Sequence, residues 1–105
     1  MRPADPEARA SLLNSSLVVP RHVVHRAFAT ETVMLNLQTG KYHGLNPTGA
    51  RMLEVLRRSQ TVADAATDLA KEYGIGRQEI EDDLCDLCSQ LLERGLLERT
   101  DGARG

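Results

Sequence analysis

The sequence predicts an α+β domain: a three-stranded antiparallel β-meander followed by three helices, winged-helix-like in arrangement. Three observations carry this reading. The apolar pattern changes period once, near Asn46, from alternation to helical spacing. Turn signals at Thr30-Glu31 and at Gln38-Thr39-Gly40 divide the earlier part into three strands. Capping signals at Asn46-Pro47, Thr61, Gly74 and Gly95 divide the later part into three helices.

Residues 1–15 are rich in Pro, Ala, Ser and charge and read as a flexible N-terminal tail; residues 100–105 read as a flexible C-terminal one. The domain itself spans 16–99. Its first strand lies in LVVPRHVVHRAFA, which is rich in β-branched residues and is interrupted by Pro20, as suits a bent or edge strand. In the second, Val33, Leu35 and Leu37 alternate with Thr32, Met34 and Asn36, so one face is apolar. Gly40 supplies a positive φ at the next turn, and Lys41 to Leu45 return as the third strand. Two short connections place the second strand in the centre and leave the first and third as edges.

Asn46 caps the first helix, and Pro47 stands at its first position, where a missing N–H costs nothing. Thr61 opens the second helix with Asp64 in a capping-box arrangement, and Gly74 ends it. The third runs from about Arg77 to Arg94, with Gly95 as its stop and Leu96 as the accompanying apolar contact. At about 100° per residue, Ile80, Leu84, Leu87 and Leu91 form a narrow core stripe. Cys85, Cys88 and Leu92 widen it on one side only. That flank either packs on a neighbouring helix or offers a second apolar contact. The opposite face, with Asp82, Asp83, Asp86, Gln90 and Glu93, is solvated.

A chain of 105 residues makes one domain, and a formal charge of -2 gives no electrostatic footprint for nucleic acid. A DNA-binding winged helix would need a cationic recognition face, and the third helix presents an acidic one. No apolar run approaches bilayer length, and the acidic start is not a secretory signal, so no membrane role and a cytoplasmic location are expected.

Cys85 and Cys88 match C-x-x-C by letters. Both fall inside a helix beside acidic residues, where a thiolate is disfavoured, and no second Cys pair exists for a metal. They read as small apolar residues. His22 and His25, three apart, face opposite sides of a strand and cannot chelate together. No catalytic constellation, cofactor motif or metal set emerges, so no enzymatic role and no cofactor are expected. The stretch TGKYHGLNPTGA stands out instead. Its short strand carries no Pro to discourage edge pairing, so an unpaired margin here is a docking site for another chain or for a second copy.

LNLQTGKYHGLNPTGARMLEVL, TVADAATDLAKEYG and LLERGLLE together resemble the PqqD-like family, the precursor-peptide recognition elements of ribosomal natural-product pathways. The resemblance spans Leu35 to Leu97, with L-N-P-T-G-A at 45–50 its most specific piece. It implies a non-catalytic domain that binds the leader of a ribosomally synthesised precursor by strand addition and presents it to maturation enzymes. Carried over residue by residue, the docking strand is Lys41, Tyr42, His43, Gly44 and Leu45, and the groove wall is Glu81, Leu84, Cys85, Cys88 and Leu92. Short tails and the N-P-T-G-A-R helix start look most like the stand-alone lasso-peptide type, which works beside a leader peptidase and a cyclase. The alternatives are a peptide chaperone for a radical-SAM enzyme and a winged-helix regulator. One departure is Asn36, where the family often carries an acidic residue.

Overall fold

The computed structural model describes residues 6–100. Its elements are α1 (Pro6–Leu13), β1 (Leu17–Val18), β2 (Val23–Ala27), β3 (Thr32–Asn36), β4 (Tyr42–Leu45), α2 (Pro47–Arg58), α3 (Val62–Tyr73), α4 (Arg77–Glu93) and β5 (Glu98–Arg99). β2, β3 and β4 form an antiparallel sheet in that order, with β3 central. The expected meander and the three helices after it are present, and their boundaries follow the caps. The Asn46 side chain accepts from the Gly49 N–H at 2.7 Å, and Thr61 Oγ1 accepts from the Asp64 N–H at 3.1 Å. Gly40, Gly74 and Gly95 take φ of 79°, 66° and 70°, as turn and helix-stop residues should.

Three features depart from the expectation. Pro6–Leu13 is a helix rather than a tail, while residues 1–5 and 101–105 lie outside the described residues. α1 packs on α3 and α4 through Leu12 and is tied down by Arg9, which pairs with Glu81 and Asp82. The first strand is broken at Pro20: β1 leaves the sheet and pairs with β5, and Val23 N–H turns back to the Pro20 carbonyl. Thr100 N–H donates to the Ser16 carbonyl at 2.9 Å, so that position belongs to the fold.

The third departure reverses the central strand. Met34 and Asn36 point into the protein and are buried, whereas Leu37 is 61% exposed and Val33 and Leu35 are half-buried on the outer side. Register explains which neighbours they meet. Val24, Leu35 and Tyr42 lie abreast on the outer face; His25, Met34 and His43 lie abreast on the inner one. Met34 fills the core with Leu45, Leu53 and Leu56. The buried place goes to Asn36 because its amide has four partners waiting, described below. A polar residue satisfied at every atom is tolerated where an unsatisfied one is not.

Candidate functional site

β4 is an edge strand: β3 borders it on one side, and no described strand borders it on the other. Asn36 N–H donates to the Lys41 carbonyl at 2.8 Å, which marks 36 and 41 as a hydrogen-bonded pair. Alternation then makes Met34–His43 and Thr32–Leu45 hydrogen-bonded pairs as well, and leaves Leu35–Tyr42 and Val33–Gly44 as the non-bonded ones. The N–H and C=O groups of Tyr42 and Gly44 therefore point away from the sheet, toward the open margin. Side chains alternate in the other sense. Tyr42 (66% exposed) stands on the outer face, and His43 and Leu45 face the helices.

Beside this margin lies a cleft of about 770 Å³ lined by Gly40, Lys41, Tyr42, His43, Gly44, Glu93 and Arg94. Its far wall is the C-terminal end of α4. The Arg94 guanidinium reaches across and donates from Nη1 to the Tyr42 carbonyl at 3.4 Å. Partial burial, with the positive charge of Arg94, holds the His43 imidazole below the usual histidine range. On the outer face of the sheet, a Cβ on Gly44 would lie 2.9 Å from the Glu31 Oε2. Glycine thus keeps the strand thin where that carboxylate crosses it.

The two sides of the cleft are fixed to each other through Asn36. Its Oδ1 accepts from the N–H groups of Gln38 (2.9 Å) and Thr39 (3.2 Å), which shapes the turn into β4. Its Nδ2 donates to the carbonyls of Gly95 (3.1 Å) and Arg94 (3.4 Å), which end α4.

The structure places Tyr42, His43, Gly44 and Leu45 in one strand with an open margin, and Lys41 immediately before it. The helical residues expected as the groove wall are placed elsewhere. Leu84, Cys85 and Cys88 are fully buried, because α1 and α3 cover that flank of α4. Burial pushes the Cys88 thiol up to about 12. Glu81 is engaged by Arg77 at 2.7 Å and by Arg9. Leu92 lines a separate depression with Ser89, Glu93, Glu98 and Arg99, beside β5. Of α4 and its cap, Glu93 and Arg94 line the cleft. Periodicity sorts Glu93 with the solvated side and leaves Arg94 as a cap, so neither stands out in the sequence. Leu87 and Gln90 share the face of Arg94, at seven and four residues' spacing. Among the described residues, no group of three His, Cys, Asp or Glu is placed to hold a metal ion, and no helix is long and apolar enough to cross a membrane.

The family model for coenzyme PQQ synthesis protein D (PqqD) matches residues 31–97, well over half of the chain. The chain belongs to the PqqD family. No curated protein matches it. Two solved structures are similar to this PqqD-family chain. One is TbiB1 in complex with the TbiA(beta) leader peptide, 32% identical, covering 77% of this chain and 94% of that one with a TM-score of 0.69. The other is a lasso peptide synthetase B1 complexed with the leader peptide, 26% identical, covering 80% of this chain and 99% of that one with a TM-score of 0.71. The match begins at Glu31, so α1, β1 and β2 lie outside the family model.

Proposed function

We propose that this PqqD-family chain binds the leader segment of a ribosomally made precursor peptide by taking it as an added strand on β4. The observation that carries the reading is the free margin itself: the main-chain donors and acceptors of Tyr42 and Gly44 face outward beside a cleft. Such a margin gives affinity through main-chain hydrogen bonds, and the neighbouring cleft reads alternate side chains. Two similar solved structures are leader-peptide complexes, which supports a leader as the occupant.

The docking strand is Lys41 to Leu45. Because Leu84, Cys85 and Cys88 lie in the core, the opposing wall is assigned to Glu93 and Arg94, with Leu87 and Gln90 on the same helical face. The chain acts by holding a peptide for a maturation enzyme, a leader peptidase with its cyclase in a lasso-type pathway, and takes no part in bond making itself.

Fluorescence anisotropy of labelled synthetic TbiA(beta) leader peptide, titrated with this protein, tests the reading. Saturable binding that a scrambled peptide of equal composition lacks is expected. Added salt should weaken it far less than it weakens binding through phosphate contacts, since main-chain pairing releases few counterions. Equal behaviour of leader and scrambled peptides overturns the proposal.

A further inference from the structure

We infer that Arg94 selects an acidic side chain in the strand that docks on β4, and that it holds the Tyr42 carbonyl until such a strand arrives. The inference rests on the docking reading above and names the chemistry of the docked segment.

The Tyr42 carbonyl is one of the outward acceptors on the margin, and an incoming strand needs it for one of its own N–H groups. Arg94 Nη1 donates to that oxygen at 3.4 Å. Docking therefore displaces the guanidinium, at the moment when a second backbone also removes water from the margin. A cation with several N–H donors left beside a dehydrated edge is costly unless it gains a new acceptor. A carboxylate is the best match, because its two oxygens accept the guanidinium fork with charge assistance.

The surroundings carry the same preference. Lys41, His43 and Arg94 line the cleft, with Glu93 as the acid in the lining. His43 faces the helices from β4, and its imidazole feels the charge of Arg94. The acidic residue is thus expected on the helix-facing side of the docked strand, level with His43 and next to the residue that pairs with Tyr42. The same cation discourages a second copy of β4 from pairing with the first, since each copy would bring another Arg94 to the shared margin. Edge protection and ligand choice then come from one side chain.

The experiment uses synthetic TbiA(beta) leader peptide in which each residue is replaced in turn by Asp and by Lys. Each peptide is titrated against the wild-type protein, Arg94→Gln and Arg94→Glu. Arg94 is exposed, and circular dichroism checks that all three proteins share one fold. At one peptide position the wild type is expected to prefer Asp over Lys by about tenfold, the scale of one charge-assisted hydrogen bond. Arg94→Gln should erase that preference, and Arg94→Glu should reverse it. An Asp-over-Lys preference that is absent, or unchanged in all three proteins, overturns the inference. Failure of the parent leader to bind the wild type removes the docking reading, and this inference with it.

Discussion

The side-chain amide of Asn36 donates to the Gly95 carbonyl at 3.1 Å, joining the turn that leads into β4 to the residue that ends α4. The Cβ that Gly95 lacks would sit 2.7 Å from the same Nδ2. These two residues set the spacing of the cleft, because one governs the strand side and the other the helix side. The glycine is required twice, by its φ of 70° and by this approach.

Asn36 is 2% exposed, so cutting it to alanine leaves two N–H groups and two carbonyls to find new partners in a site with little access to water. Asn36→Ala should lower unfolding free energy by about 2 to 3 kcal/mol, the cost of unsatisfied buried polar groups. Urea denaturation measures it. A loss below the error of the extrapolation refutes the role assigned to this amide.

Gly95→Ala meets both the left-handed backbone and the Asn36 amide, and should cost about 1 to 3 kcal/mol. The two changes are not additive. In an Asn36→Ala background the close contact is gone, so Gly95→Ala there should cost only its backbone strain. A double-mutant cycle by urea denaturation reads the difference, and strictly additive losses refute the contact.

Cys88 is fully buried with its thiol pushed up to about 12, and burial likewise raises the buried Cys85 thiol. Thiolate, the reactive form, is scarce in the folded protein. Ellman's reagent at about pH 8 should titrate neither thiol in the native protein and both in concentrated guanidinium. Rapid reaction of either in the native state refutes the burial.

The reach of the sequence is clearest at the caps. Asn46, Thr61, Gly74 and Gly95 act through their own neighbours, so local chemistry places the ends of α2, α3 and α4. The margin of β4 is legible for the same reason, since turn lengths alone force it to an edge. What fails is whatever depends on contacts distant in sequence. α1 has no apolar stripe of its own and is held by Leu12 and by Arg9 reaching Glu81 and Asp82, some seventy residues on. Because α1 is invisible, the sequence leaves the Cys85 and Cys88 flank undecided between a packed and an open face, and the structure shows it covered. Asn36 is misread likewise: alternation puts the more apolar set inside, while the carbonyls of Arg94 and Gly95 reverse it.

His43 links the strand to the charge of Arg94. Its folded value lies below the ordinary histidine value of about 6.5. The unfolded chain therefore takes up this proton first as pH falls. The stability His43 contributes is present above about 6.5 and is lost as pH drops from there through the folded value. Proton NMR titration of the imidazole should give a midpoint below that of the unfolded chain, and Arg94→Gln should raise it. A midpoint at or above the ordinary value, or one indifferent to residue 94, refutes the coupling.

Amide hydrogen exchange distinguishes strand addition from mere occupation of the cleft. In the free protein the N–H groups of His43 and Leu45 face β3 and should exchange slowly, whereas those of Tyr42 and Gly44 face the margin and should exchange fast. A docked strand supplies carbonyls to the second pair alone. Saturating synthetic TbiA(beta) leader peptide should therefore slow Tyr42 and Gly44 selectively, in an alternating pattern along four consecutive residues. A ligand that only fills the cleft through side chains would leave those two amides in contact with water. Binding by anisotropy without protection at 42 and 44 would thus retain a peptide-binding protein and reject the added strand.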